Sequence, residues 1–505
     1  MKHYFIFYFF VSCYCIAQPN DGSYLFNKLY PPEKPTYARS YVAAIPIENN
    51  HYIVAGTHHS TENEIYVQKH DEKGDIKWHT TVLKTTDFAT TYFGSALTKG
   101  HDGNFLVTAK RGKEKWDTDY IVGKVTPYGK LVWVKEYPYP LNDDCMHIIA
   151  CKQGGYLVAG TNQEVIPVVK NAHFQLLRLT ENGDTLWRKK TAITNFAVLD
   201  LSQTSDSGYV FSGYRYNKET GYDMFAVKTD SLGIIEWQQT YGTPYDDGGC
   251  HVMERPKIQG SYPSYVLVGL INTGGGQEYK KGIYYAHLSK KDGKVFWIEK
   301  IYEPNKVDIY GSSSEWMDEK GEIYSATHSY SSIIPVYNEI TKFNSSGDTL
   351  WKRPIATGLP DDDYIRDIRQ CEDGGFILAG FNFSIPNTAW LVKTDSLGYT
   401  CGLPNCDSTL INTSVSHPIK SKANIILSPN PVNLNQPIQI QYTLPPQILE
   451  AVLEFYDEQG RKVAYNMLLN VLNTCSIEPL PKKGLYTWQV KTPYKVLSSG
   501  KLVVQ

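Results

Sequence analysis

The stretch Gly154-Gly155-Tyr156-Leu157-Val158-Ala159-Gly160 constrains this chain most, because the chain keeps making it again. Variants begin at Tyr52 (YIVAG), Phe105 (FLVTA), Tyr209 (YVFSG), Tyr265 (YVLVG), Ile323 (IYSAT) and Phe376 (FILAG), giving seven copies spaced 51 to 58 residues apart. A polar turn ending in Gly, with Trp four residues later, follows six of them: Gly74/Trp78, Gly129/Trp133, Gly183/Trp187, Gly233/Trp237, Gly293/Trp297 and Gly347/Trp351. Short β-type runs at this period mark a propeller or array.

Each unit holds four apolar runs of strand length, many alternating apolar with polar residues as half-buried strands do. In the third unit, run A is Cys145 to Cys151, B is Tyr156 to Gly160, C is His173 to Leu179 and D is Thr185 to Lys190. Gln153-Gly154-Gly155 turns A into B and Glu181-Asn182-Gly183 turns C into D, because glycine tolerates the positive φ of a tight turn. Four antiparallel strands per repeat, arranged radially, make a propeller blade. The seventh unit lacks run D. Its match lies near the N-terminus, where residues 24–31 align with residues 131–138 position for position, with Phe26 in the place of Trp133. The expectation is an all-β chain: a seven-bladed β-propeller over 18–406, closed by the N-terminal strand at 24–30. Closure removes two sheet edges that would template aggregation.

The recurrent Trp admits a functional reading, since aromatic side chains bind sugars and bases; its fixed place in six units argues for packing between blades. The Gly-x-x-x-Trp pattern resembles the tryptophan-docking repeats of pyrroloquinoline quinone dehydrogenases. The adjacent Cys-Cys pair common in those enzymes is missing here, so the cofactor is not carried over.

Strand order puts A–B and C–D turns on one face and B–C and D–A connections on the other. The second set varies in length and composition, and binding loops are characteristically variable loops on a rigid scaffold. On that face the D–A connections carry Asp87, Asp143-Asp144, Asp246-Asp247, Asp308 and Asp361-Asp362-Asp363 at equivalent places. These would ring the mouth of a central channel. They would serve either as a site for a cation such as calcium or a hydroxyl-rich ligand, or as acceptors organising their own turns. No EF-hand loop, HExxH, GxSxG or phosphate-cradling GxxxxGK[ST] occurs. No cofactor is expected. Two carboxylates suffice for glycoside hydrolysis, so the acidic ring leaves a polysaccharide-acting hydrolase or lyase open as the alternative to a binding protein.

Charge is balanced, with 50 Lys+Arg against 52 Asp+Glu, and no basic stripe points to nucleic acid. Residues 1–17 read as a signal peptide: Met1-Lys2-His3, an apolar core from Tyr4 to Val11, and small residues at Cys15-Ile16-Ala17. A lipoprotein reading would instead use Ser12-Cys13. No other run approaches a membrane span. Seven cysteines remain after cleavage; Cys401 and Cys406 bracket Gly-Leu-Pro-Asn and are expected to form a disulfide in an oxidising compartment. Cys151 and Cys371 occupy equivalent positions and read as small buried apolar residues.

The repeat stops after Cys406. A Ser/Thr/Asn/Lys-rich linker over 407–423 leads into about seven short strands over 424–505, the pattern of a small β-sandwich. Ser428-Pro429-Asn430-Pro431, Phe455-Tyr456-Asp457 with Gly460, Leu480-Pro481 with Gly484-Leu485-Tyr486, and Gly500-Lys501-Leu502-Val503-Val504 follow in order. This tail resembles the C-terminal sorting domain of Bacteroidetes type IX secretion cargo. The resemblance implies signal-peptide export to the periplasm, engagement of outer-membrane export machinery, and a secreted or surface-anchored product. Asp184-Thr185-Leu186, Asp230-Ser231-Leu232, Asp348-Thr349-Leu350 and Asp395-Ser396-Leu397 resemble the O-glycosylation acceptor of the same phylum, although a C–D turn also demands Asp and Ser. Taken together, the expectation is a secreted or surface scaffold that binds a glycan or protein.

Overall fold

The structure, a computed structural model, describes residues 24–34, 37–91, 96–114, 117–138, 142–163, 173–245, 247–257, 263–272, 281–302, 309–329, 337–357, 363–383, 387–400, 406–407, 424–444, 450–469, 474–492 and 495–505. The chain divides into two compact units, Leu25–Asp407 and a second that holds Ser408–Gln505.

The larger unit is all-β and propeller-like, built of antiparallel sheets whose strands pair in chain order. In the third sheet Asn142–Ala150, Tyr156–Gln163, His173–Leu179 and Thr185–Thr194 are strands A to D. Sheet 1 runs from Ala38–Ile47 to Ile76–Thr85, sheet 4 from Phe196–Gln203 to Ile235–Tyr241, and sheet 5 from Cys250–Glu254 to Val295–Tyr302. Sheet 6 runs from Ile309–Met317 to Thr349–Ile355. Sheet 2 departs from the pattern: Phe88–Thr90 and Leu97–Lys99 share the first place beside Phe105–Glu114.

Sheet 7 contains Asp363–Gln370, Phe376–Asn382 and Thr388–Lys393. Its fourth place is taken by Phe26–Tyr30, with Phe26 opposite Lys393 and Tyr30 opposite Ala389. This strand repeats the contacts of the D strands it resembles. Tyr30 Oη donates to Gly74 O at 2.6 Å, as Tyr137 Oη does to Gly183 O at 2.7 Å and Tyr241 Oη to Gly293 O at 2.8 Å. Lys28 pairs with Asp75 at 2.8 Å, as Lys135 pairs with Asp184 at 2.7 Å. The two-residue strand Cys406–Asp407 adds a fifth position outside it.

The apolar core is divided among the joints between sheets. Leu106 and Tyr120 of sheet 2 pack with Ile148 and Tyr156 of sheet 3, and Phe174 and Leu176 of sheet 3 pack with Phe196 and Phe211 of sheet 4. Another cluster joins Phe26, Ile377 and Leu391 of sheet 7 to Tyr41, Tyr52 and Tyr66 of sheet 1. The recurrent Trp sits at these joints. A Cβ added to Gly183 would meet the Trp133 ring at 2.8 Å, one on Gly293 would meet Trp237 at 2.6 Å, and one on Gly74 would meet Phe26 at 3.0 Å. The packing reading of the Trp therefore holds in most joints. At Gly347 the ring in this place is Tyr285, and Trp297 of the same sheet is 37% exposed.

In the C-terminal unit, Asn424–Ser428, Ile438–Thr443 and Thr474–Ile477 form one sheet. Lys462–Leu469, Glu450–Tyr456, Gly484–Thr492 and Lys495–Val504 form another, in that order. Alternate residues Ile438, Ile440 and Tyr442 share one core with Leu453, Phe455, Trp488 and Leu502 of the second sheet, as the period-2 pattern of a half-buried strand requires.

Candidate functional site

Asp363, Asp247 and Asp87 of the D–A connections do structural work. Asp363 is buried; its Oδ2 accepts from Thr357 N (2.7 Å), and its Oδ1 accepts from Thr357 Oγ1 (2.8 Å) and Asn382 Nδ2 (2.7 Å). Asp247 repeats the device two sheets away, with donors Thr243 N (2.6 Å), Thr243 Oγ1 (3.0 Å) and Asn272 N (2.7 Å). Burial pushes the Asp247 carboxyl up to about 6, against the opposing pull of those donors. Asp87 accepts from Arg111 at 2.8 and 3.1 Å. Asp143 and Asp144 lie in strand A of sheet 3, opposite Asn162 and Thr161. Asp246, Asp308, Asp361 and Asp362 fall outside the described residues. Among the described residues no group of three His, Cys, Asp or Glu could hold a metal ion.

Cys401 also falls outside, and Cys406 is placed only by its backbone in the short strand after Phe26–Tyr30. Cys151 and Cys371 are buried free thiols, and burial pushes Cys371 up to about 12. Thr185, Ser231, Thr349 and Ser396 are exposed at C–D turns. In two of those turns the aspartate also organises the backbone: Asp230 Oδ1 accepts from Leu232 N (2.9 Å) and Ile234 N (2.8 Å), and Asp395 Oδ1 from Leu397 N (2.9 Å) and Tyr399 N (2.8 Å).

A second charged group lies in the middle of the A strands, where the run pattern reads only as strand. Ala43, His147, Asp200, His251, Ser314 and Asp367 stand at one level of sheets 1 and 3 to 7, opposite Ala55, Ala159, Ser212, Val268, Ala326 and Ala379. They link neighbouring sheets. Asp367 accepts from Ala44 N of sheet 1 (3.0 Å) and Ser314 Oγ of sheet 6 (3.3 Å), and pairs with Arg369 at 3.2 Å. His251 stands between two carboxylates, 2.9 Å from Glu315 and 3.9 Å from Asp200. Glu315 also accepts from Ser325 Oγ at 3.0 Å. Burial raises the Asp200 and Asp367 carboxyls, with Glu315 adding to the rise at Asp200. Burial pushes His147 down to about 3, so it is neutral at pH 7.

Beside this group is a cavity of about 320 Å³. Its polar lining residues include Asp200, Gln203, Glu254, Glu315 and Arg369, with Ser202 and Trp316 beside them, and Met253 and Met317 supply apolar surface. Apart from Pro256, its walls come from the A strands of sheets 4 to 7. Ser202 Oγ and Trp316 Nε1 are buried atoms with no hydrogen-bond partner among the described residues. The Arg369 guanidinium lies 5.7 Å from the centre of the Trp316 ring. Gln203, Glu254 and Met317 are the last residues of their strands, which places the cavity at the end carrying the A–B turns. The sequence pointed instead to the B–C/D–A end. The signal that marks the cavity is a charge inside a largely apolar run A, as at Asp200 in Phe196–Gln203.

In the C-terminal unit the spaced motif residues meet along one edge. Asn430 Nδ2 donates to Lys501 O and Asn430 Oδ1 accepts from Val503 N, both at 3.1 Å. Val432 bridges Val504, which also pairs with Gly484. Leu485 N donates to Glu458 Oε1 at 3.3 Å across the turn that Gly460 closes with φ +74°. Gly500 is held against the Trp488 ring, where a Cβ would approach to 2.4 Å. Tyr486 Oη donates to Lys482 O at 2.8 Å. Ser428, Pro429 and Pro431 flank Asn430 at the exposed start of this edge.

No family model matches the chain, and no curated protein matches it. Similar solved structures include a protein of unknown function from Bacteroides caccae, with 11% identity over 57% of this chain and 90% of that one, at a TM-score of 0.35. An α-L-arabinofuranosidase from Fusarium graminearum has 14% identity over 59% of this chain and 91% of its own, at 0.38. A Dyadobacter fermentans protein of unknown function has 10% identity over 72% and 100%, at 0.41. Likeness at this level assigns no activity.

Proposed function

We propose that this chain is a secreted or cell-surface binding scaffold: a seven-bladed β-propeller closed by its N-terminal strand and exported through its C-terminal domain by a type IX-like route. Closure is supported by the Phe26–Tyr30 pairing and by the core that joins sheets 7 and 1. The export reading rests on motif residues far apart in sequence that meet along one edge of the C-terminal unit. The binding reading rests on the cavity at the A-strand ends, because its lining differs from sheet to sheet whereas the joints repeat. Specificity resides in what a repeat scaffold varies.

One observation favours hydrolysis as a second reading. Asp200 and Glu315 flank one imidazole, and a pair of carboxyl groups is what glycoside hydrolysis requires. A glycan-array screen run beside hydrolysis assays separates the readings. Binding without turnover supports the scaffold, and turnover abolished by Asp200→Asn supports the enzyme. For export, removal of residues 425–505 is expected to strand the protein in the periplasm, and continued secretion would refute the route. Intact mass of the exported protein tests sugar addition at Thr185, Ser231, Thr349 and Ser396.

A further inference from the structure

We infer that the outer edge of sheet 5, strand Val295–Tyr302, docks against the same edge of a second copy of this chain, the two strands pairing antiparallel about a two-fold axis at Ile298. The strand is the last of its sheet. Val295, Phe296, Trp297 and Ile298 are 36%, 56%, 37% and 39% exposed, the longest run of exposed large apolar residues among those described. An apolar edge strand open to solvent is a template for pairing with another chain.

Sheet 5 is the exception among the joints. Elsewhere an aromatic ring of the outer strand lies on the Gly of the next sheet, but Tyr285 fills that place at Gly347, and the Trp297 ring is centred 6.0 Å from the Tyr285 ring. Two residues beyond the ring position, Lys28, Thr80, Lys135, Gln239 and Arg353 donate to the C–D turn of the next sheet. The residue at that place in sheet 5 is Glu299, and an ionised carboxylate has no proton to donate. Two contacts that hold other outer strands to their neighbours are therefore replaced here. The unit already accepts a further strand at an equivalent edge, since Cys406–Asp407 pairs outside Phe26–Tyr30 of sheet 7.

The charges select a register in which the strand complements itself. Directly opposite residues of an antiparallel pair lie on one face, and faces alternate along a strand, so two copies related by a two-fold axis are centred on a residue that faces itself. Centred on Glu299 or Lys300, the pair sets like charges opposite each other, which is destabilising. Centred on Ile298, the strand brings Ile298 to its copy, Glu299 opposite Trp297 and Lys300 near Phe296, a favourable meeting of a cation with an aromatic face. Each copy covers the apolar run of the other, and the used edges close the assembly at two chains. The contact is small, so the dimer belongs among weak, transient interfaces below about 1,200 Å².

Sedimentation velocity of the full chain from about 1 to about 200 µM, under reducing conditions, is expected to show a monomer passing into a dimer. Ile298→Lys sets two like charges across the axis at a position that is already exposed. It should weaken association at least about tenfold and leave the circular dichroism spectrum unchanged. Under oxidising conditions Ile298→Cys should give a covalent dimer, because opposite residues of antiparallel strands lie within disulfide reach. Leu350→Cys, at an exposed place on the outer strand of sheet 6, is the control and should give none. The inference falls if the chain stays monomeric, which would leave the edge to a strand of another protein, or if assembly runs past the dimer. It falls equally if Ile298→Lys associates as the parent does, or if the two cysteine variants cross-link alike.

Discussion

Asp363 and Asp200 are both aspartates tucked among the sheets of the larger unit, yet they differ in what surrounds them. Asp363 takes three donors from Thr357 and Asn382, all in its own sheet or the connection leading to it. Asp247 repeats the arrangement with Thr243 and Asn272. Asp200 shares His251 with Glu315 of another sheet and faces a cavity. The first kind recurs because the connections into two sheets form the same corner. The second depends on unlike strands of different sheets meeting, as Asp367 also does with Ala44 and Ser314. Local donors thus mark the corner aspartates, and partners from other sheets mark the charges beside the cavity.

The contrast can be broken by mutation, and the joints should respond most. Phe26→Ala empties the place that holds the N-terminal strand against Gly74 and is expected to cost about 3–5 kcal/mol, read as a lower midpoint in chemical denaturation. A loss below about 1 kcal/mol would show that this strand contributes little to the joint. Asp363→Ala strands the Thr357 and Asn382 donors and is expected to cost about 3 kcal/mol. If Asp200→Ala proved equally costly, the division between corner and cavity aspartates would collapse.

A pH series sharpens the comparison at Asp247. Its carboxyl is raised by burial to about 6 from the ordinary 3.8. Between those values the folded chain keeps a proton that the unfolded chain has released. The stability from this group is therefore full below about pH 4 and lost as pH rises through about 6. His147, lowered to about 3 from 6.5, acts in the opposite sense, since the unfolded chain takes up its proton first. The difference between parent and Asp247→Asn melting temperatures isolates the aspartate: the parent's advantage should shrink from pH 4 to pH 7. The smallest effect is expected at Ser202→Ala, which removes a buried hydroxyl with no partner among the described residues and should raise stability by about 1 kcal/mol.

Much of the architecture was legible in the chain. The alternation of run lengths and Gly-ending turns predicts four strands per repeat, and the alignment of 24–31 with 131–138 finds a strand that local pattern alone would leave in a loop. The match works because a D strand is specified by contacts at fixed spacing: an aromatic ring over the next Gly, then Tyr to the Gly carbonyl four residues on. Sheet 2 was less legible, since its first place is shared by two short strands that no single run announces. The cavity was not legible. Asp200, Glu315 and Arg369 are separated by 115 and 54 residues, and nothing in their local sequence relates one to another.

The sequence by itself determined the repeat, the tight turns and the aromatic-on-glycine joints, because each depends on residues a few positions apart and on backbone conformations that few residues tolerate. The motif order of the C-terminal domain was also written there, although not the hydrogen bonds that bring Asn430 to Lys501 and Val503. Only the tertiary structure decided which face carries a cavity and which carboxylates are already satisfied. Those properties depend on the distances between strands from different sheets and on burial, and burial exists only once the sheets have packed.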